Sequence, residues 1–199
     1  MKCDIVLAGV GGQGILSIAT VLGFAALENN LYLKQAETHG MSQRGGAVQS
    51  YLRLSDKPIY SDLIPFGNAD LILSVEPMES LRYLPYLSPN GYVVTNTTPF
   101  KNIENYPDIE DIMNEIKKLP RAVAINAEAI AKEIGNSKVS NMVILGAAIP
   151  FIDIAQESIE NGIREIFGRK GADIVKLNLL ALRTGRTFTE ENKSVILKY

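Results

Sequence analysis

Cysteine and histidine are nearly missing from these 199 residues: Cys3 is the one thiol and His39 the one imidazole. A lone thiol excludes an internal disulfide framework, a four-cysteine zinc site and the ligand set of even one iron–sulfur cluster. A single histidine leaves no histidine-rich metal site. Excess charge is lacking as well. Twenty Lys and Arg against 22 Asp and Glu give a formal charge of −2, so no bulk field draws the chain to nucleic acid or an acidic membrane. The charge present is unevenly placed: residues 1–100 carry 6 basic and 8 acidic groups, residues 101–199 carry 14 and 14. The first half is therefore either more deeply buried or built to be covered by something else.

A membrane-length hydrophobic run is also lacking. No charge falls between Ile5 and Leu27, yet Gly9, Gly11, Gly12 and Gly14 interrupt the stretch after about one strand length. The apolar run left over is shorter than the ~20 residues a spanning helix needs, and no A-x-A-like cleavage site follows it. The chain reads as soluble and cytoplasmic. Its 46% hydrophobic and 21% charged residues are ordinary globular usage. The length fits one domain with a small appendage, read as a domain over residues 1–185 and a C-terminal tail or docking segment over 186–199.

What is present alternates between two periods. Residues 3–8, 69–75, 92–96 and 122–125 are short, apolar and strand-like, and the first two fit strands buried on both faces of a parallel sheet. A further strand is expected at 31–36, and residues 47–54 and 58–63 flank Ser55-Asp56-Lys57 as a β-hairpin. Ser88-Pro89-Asn90-Gly91 reads as a turn. Helices are expected over 15–29, from about Met78 with Pro77 in the first turn, and from Asp108 to before Pro120. Others run from Asn126 to Gly135, from Ser140 to Ile149, after an Asp153/Gln156 capping box, and over about 170–183. Strands alternating with helices predict an α/β fold: a three-layer α/β/α sandwich, Rossmann-like, whose mostly parallel sheet is mixed by the hairpin.

Gly9-Val10-Gly11-Gly12-Gln13-Gly14 matches G-x-G-x-x-G after a strand and before a helix, the context of a dinucleotide fingerprint. Such a loop admits a ligand closely and offers helix N–H groups to a phosphate or carboxylate. Glu37 lies where a nicotinamide enzyme places its ribose carboxylate, although it sits inside a second glycine-rich stretch. The alternative is that the glycines only let the helix pack tightly. That second stretch, residues 37–46, reads as a loop. Within it His39, Gly40, Gln43, Arg44, Gly45 and Gly46 form a second candidate cluster. Arg44 suits an anion or an ion pair; His39 can shuttle a proton or simply hydrogen-bond. Glu76 and Asn96, at strand ends, read as ligand-facing groups or, more simply, as caps. Cys3 reads as an inert packing residue. No Ser-x-x-Lys, G-x-S-x-G or Cys–His arrangement is present, so no self-sufficient catalytic or metal site is visible.

These two clusters, with Asn141-Met142 leading to Leu145-Gly146-Ala147, resemble the gamma-type domain of 2-oxoacid:ferredoxin oxidoreductases. The stretch His39-Gly40-Met41-Ser42-Gln43-Arg44-Gly45-Gly46 looks most like the small-subunit branch that serves indolepyruvate. The resemblance implies an enzyme that decarboxylates a 2-oxoacid on thiamine diphosphate, reduces ferredoxin through iron–sulfur clusters and releases an acyl-coenzyme A. With one cysteine, and no thiamine-diphosphate motif, this chain then carries neither cofactor, and both belong to a large partner subunit. The charge-poor first half becomes the expected docking face. Residues 9–14 and 39–46 are expected to line a crevice meeting that partner or coenzyme A. A free-standing Rossmann-type NAD(P)-binding dehydrogenase or nucleotide-binding protein is the competing reading, and a ligand-free assembly or regulatory module is a third.

Overall fold

The computed structural model describes residues 1–39, 45–101 and 103–192, with backbone alone at His39. Among the described residues there are six strands and seven α-helices. They are β1 (Lys2–Val10), α1 (Ile15–Glu28), β2 (Tyr32–His39), β3 (Ala47–Ser55), β4 (Ala69–Ser74), α2 (Pro77–Arg82) and β5 (Leu87–Asn96), followed by α3 (Ile109–Lys118), β6 (Ala122–Ile125), α4 (Ala127–Ile134), α5 (Ser140–Ala148), α6 (Gln156–Phe167) and α7 (Ala172–Glu191). The strands form one sheet in the order β2-β3-β1-β4-β5-β6. β1, β4, β5 and β6 run parallel, while β3 is antiparallel to both β1 and β2.

Alternation along β1 divides the core. Ile5 and Leu7 face a large cluster built with α1, α4, α5, α6 and α7. Val6 and Ala8 face a smaller one with Ile64, Tyr83 and the partly buried Tyr86 and Leu119. Burying such side chains contributes ~1.5–3 kcal/mol each, and a strand covered on both faces needs the near-continuous apolar run that opens the sequence. The expected three-layer α/β sandwich with a mixed sheet is what forms. No described helix is both long and apolar enough to cross a membrane.

Several local expectations are corrected. The hairpin is β2–β3, with Tyr32 opposite Ser55 and His39 opposite Val48, and residues 58–63 form no strand. Both edges of β3 are already taken by β1 and β2, so the following segment cannot form a hairpin with it. That segment is instead held by Arg53, whose Nη1 donates to the Ser61 and Leu63 carbonyls at 3.0 Å each. Arg53 is itself fixed by the buried Asp4 carboxylate, at 2.8 and 3.0 Å. Residues 37–39 continue β2, because β3 offers them partners. Ser88 to Gly91 belong to β5: Gly91 passes so close to β4 that a side chain would meet the Ala69 carbonyl oxygen at 2.7 Å, next to a register shift between Ala69 and Leu71.

Two expected caps do not form. Ser140 already lies inside α5, which a 3-10 turn over Ser137–Val139 feeds directly, and it is Asn136 that caps that turn. Asp153 does not cap α6: the chain turns tightly around it, the Ile154 N–H donating to the Ile152 carbonyl at 2.9 Å with both isoleucines buried, and α6 begins at Gln156 behind Ala155. α7 runs on through Gly185 to Glu191. That glycine is a packing position rather than a stop, since a Cβ there would lie 2.9 Å from the Ala147 nitrogen of α5.

Candidate functional site

α1 leaves β1 toward the large cluster, whereas the chain leaving β4 enters α2 and the small one. The C-terminal ends of β1 and β4 therefore flank the point where the winding reverses, the place where open α/β sheets take ligands. The glycine loop of residues 9–14 sits there. Gly9 must lack a side chain, because a Cβ would collide with Val75 and lie 2.9 Å from Cδ1 of Ile15. Gly12 and Gly14 have φ of +99° and +82°, the left-handed region that favours glycine. Gly14 also faces Asn141, whose Cγ a Cβ would approach to 3.2 Å.

Most of the loop's polar groups are used internally. The Val10 N–H donates to Oε1 of Gln13 at 2.8 Å, and the Gln13 N–H donates to the Val10 carbonyl at 3.2 Å. The Gly11 N–H donates to the Gly46 carbonyl at 2.9 Å, and the Gly45 N–H returns a longer bond to the Gly11 carbonyl at 3.4 Å. Thus the β1–β3 ladder extends past Val10 and Ala47, and the structure brings Gly9, Gly11, Gly12, Gln13 and Gly14 together with Gly45 and Gly46. Gly40, Gln43 and Arg44 lie outside the described residues. Only the backbone of His39 is described, at the end of β2.

This arrangement does not fit a nicotinamide dinucleotide. The amides of Val10, Gly11 and Gln13, which would cradle a pyrophosphate, are committed within the protein. Glu37 belongs to β2, which β3 separates from β1, so its carboxylate is one strand too far from the loop to meet the ribose.

A cleft of about 700 Å³ opens beside Gly12 and Gly14. The 3-10 turn before α5 supplies Ser137 and Lys138, α5 supplies Asn141, and the approach to α7 supplies Lys170. Among the described residues, no Asp or Glu lines it. α1 and α5 both begin at its wall, without a side-chain cap and without an acidic residue in the first turn. The N-terminus of α1 and two lysines make this an environment for an anion. Lys138, Asn141, Lys170 and Asn178 come from the second half of the chain. Sequence reasoning centred on the glycine clusters missed them as site residues; for Asn141 the available signal was its place in the Asn141-Met142 stretch that carries the family resemblance, and the others have none.

Glu76 and Asn96 prove to be structural. Glu76 is fully buried; its carboxylate caps α2 through the Glu79 N–H at 2.9 Å and accepts from the Phe100 N–H and the Tyr106 hydroxyl. Burial, followed by that bond to Glu76, holds the Tyr106 hydroxyl well above the usual phenol range. Asn96 donates to the Val75 carbonyl and to Glu128, and accepts from the Thr97 and Ala127 amides. Burial, with Asp70, Asp4 and Asp153 nearby, pushes the Cys3 thiol up to about 12, which leaves it a packing group rather than a nucleophile. No group of three or more His, Cys, Asp or Glu side chains among the described residues could hold a metal ion.

The chain is thus a mixed α/β sandwich with a lysine-bearing cleft at its switch point and a glycine loop closed on itself. Residues 4–188 match the pyruvate ferredoxin/flavodoxin oxidoreductase family, and the chain belongs to it. It is 37% identical over 194 residues to the indolepyruvate oxidoreductase subunit IorB of Archaeoglobus fulgidus, covering 93% of this chain and 94% of that protein. It is 39% identical over 181 residues to the Pyrococcus horikoshii IorB, covering 86% and 89%. Among solved structures, the 2-oxoglutarate:ferredoxin oxidoreductase of Magnetococcus marinus aligns with a TM-score of 0.75 at 22% identity, covering 96% of this chain but 31% of that longer one. The gamma subunit of a keto/oxoacid ferredoxin oxidoreductase from Geobacter sulfurreducens aligns at 0.69 and 23%, covering 95% and 99%. At these identities the two structures establish the shared fold.

Proposed function

We propose that this chain is the small subunit of an indolepyruvate:ferredoxin oxidoreductase working in the cytoplasm. The reaction is indolepyruvate plus coenzyme A plus two oxidised ferredoxins giving indoleacetyl-coenzyme A, carbon dioxide, a proton and two reduced ferredoxins. The observation that carries this reading is the near end-to-end likeness, at 37% identity, to a protein named as an indolepyruvate oxidoreductase subunit. The donor set of the chain supports the division of labour. A [4Fe–4S] cluster takes four cysteine thiolates, and the only cysteine here is buried in β1. Clusters and thiamine diphosphate therefore belong to a large partner subunit, which carries the decarboxylation and the electrons.

In this assignment the small subunit supplies a binding surface. The cleft between α1 and α5 receives the phosphates of coenzyme A, with Lys138 and Lys170 providing charge. Gly9, Gly11, Gly12, Gln13 and Gly14, with Gly45 and Gly46, hold the rim in shape. His39, Gly40, Gln43 and Arg44, which carry the family resemblance in the sequence, are assigned to binding the coenzyme or the partner. The test is reconstitution: the chain is co-expressed with its large partner and assayed for coenzyme A-dependent reduction of ferredoxin by indolepyruvate. Stable association and turnover are expected. Failure to associate, or saturable binding of NAD by the isolated chain, would overturn the assignment.

A further inference from the structure

Three large apolar side chains stand in water on one ordered segment. Residues 56–68, which join β3 to β4, contain no helix or strand, and connections of such length without secondary structure are usually functional or disordered. This one is held at several points. Arg53 donates to the Ser61 and Leu63 carbonyls, and Ile64 is buried in the small cluster. The Gly67 N–H donates to the Pro85 carbonyl at 2.9 Å, and the Phe66 ring packs on Tyr86 with centroids 4.6 Å apart. Yet Tyr60 is 93%, Phe66 69% and Leu63 60% exposed. The Asp4–Arg53 pair, whose desolvation is costly, thus fixes a segment that turns these side chains outward. Fixing them in advance removes much of the ordering cost of binding, and aromatic anchors are among the side chains that dominate protein interfaces.

We propose, resting on the function assigned above, that residues 58–66 are the arm on which the large partner subunit docks, through an apolar recess that takes Tyr60, Leu63 and Phe66. The size of the patch favours that occupant over a second copy of this chain. An aromatic side chain offers ~150–250 Å², so the three together present roughly 500 Å². A stable interface takes ~800 Å² from each side, and two copies meeting through the arm alone fall short of it. A larger subunit can continue across the Lys34–Asp62 ion pair, at 3.8 Å, to the half-exposed Tyr32 on β2, the outermost strand.

The experiment uses the holoenzyme obtained by co-expression. Hydroxyl-radical labelling should find Tyr60 and Phe66 as slow to oxidise as Tyr83, which is buried within the chain, and lysine cross-linking should join Lys57 to the large subunit. Y60S/L63S alters two exposed side chains and should raise the concentration at which the holoenzyme dissociates about thirtyfold or more. L27S removes a comparably exposed leucine from α1 and should shift it by less than about threefold. Tyr60 oxidising at the rate of an exposed tyrosine would overturn the proposal, whether or not the variants fold. So would a Y60S/L63S holoenzyme that dissociates like the parent, a larger effect from L27S, or a Lys57–Lys57 link between two copies in place of one to the large subunit. A chain that assembles with no large partner removes the functional assignment itself, whereas an assembled, active holoenzyme with Tyr60 uncovered removes this inference alone.

Discussion

Gly146 of α5 lies directly under the Leu182 carbonyl of α7, so close that a methyl group on it would run into that oxygen. The contact is reciprocal: Gly185 of α7 stands against the Val143 carbonyl of α5, and the Thr189 hydroxyl closes the pair with a 2.8 Å bond to the Ala147 carbonyl. α5 is buried from Asn141 to Ala148, so neither helix can step aside without opening the main core. Overpacking a well-packed core costs ~1–3 kcal/mol or more. G146A and G185A are each expected to lower thermal stability at the upper end of that range or beyond, although alanine is the better helix former. A melting temperature equal to the parent's would show that the helices separate more easily than their packing implies.

Arg53 ties the segment of residues 58–66 to the sheet by donating to two of its carbonyls while the buried Asp4 holds the guanidinium. Tyr60, Leu63 and Phe66 are exposed on that segment. R53M removes both carbonyl contacts and leaves the buried Asp4 carboxylate with the half-exposed Lys2 ammonium, at 2.9 Å, as its remaining cation, so the loss should fall below the ~3–5 kcal/mol of a buried pair broken outright. The D4N/R53M double variant should recover part of that loss. Brief chymotrypsin digestion should cut R53M between residues 60 and 66 faster than elsewhere; an unchanged cleavage pattern would mean that other contacts hold the segment.

Glu160 links α6 to α7. A hydrogen bond from Arg183, with help from Gln156 and Arg164, holds its carboxyl at about 2 against an ordinary 4.5, despite partial burial. A carboxyl depressed in the folded state stabilises the fold above its unfolded value, and that contribution disappears as the pH falls. The stabilisation should thus be complete above about pH 4.5 and decline toward pH 2. Arg183 is more than half exposed, so salt should weaken the effect. E160Q should flatten the acid limb of a stability–pH curve and leave the neutral plateau close to its new level; an unchanged slope between pH 4.5 and 2 would rule the linkage out.

Much of this was legible in the sequence because local chemistry decided it. The Asn126 cap, the Gly135 stop at φ +96° and the Asp108 cap stand where the residues predict. Pro77 opens α2 behind its Glu76 cap, also as predicted. The misreadings share a different cause. Residues 58–63 have strand-like composition but follow β3, both of whose edges are taken, and Gly185 looks like a helix end only until α5 is packed against it. The site divides the same way. The glycine clusters and the Asn141-Met142 stretch announce themselves, whereas Lys138 and Lys170 reach the cleft only because the fold brings the turn before α5 and the approach to α7 to the mouth of β1.

Gly12 and Gly14 separate two reasons for a glycine. Both have positive φ, but Gly12 faces open space while Gly14 faces Asn141. G12A should therefore carry only the cost of a left-handed alanine, ~1–2 kcal/mol. G14A should carry that cost plus a collision with the carboxamide. If the collision accounts for the difference, removing the carboxamide removes it: in an N141A background, G14A should cost no more than G12A does in the parent. The coupling between positions 14 and 141 would then be ~1 kcal/mol or larger, as contacting residues show. Denaturant melts of the four proteins in that cycle measure it directly. Strict additivity would mean that the loop shifts to admit the methyl group, and that its geometry is not held by Asn141.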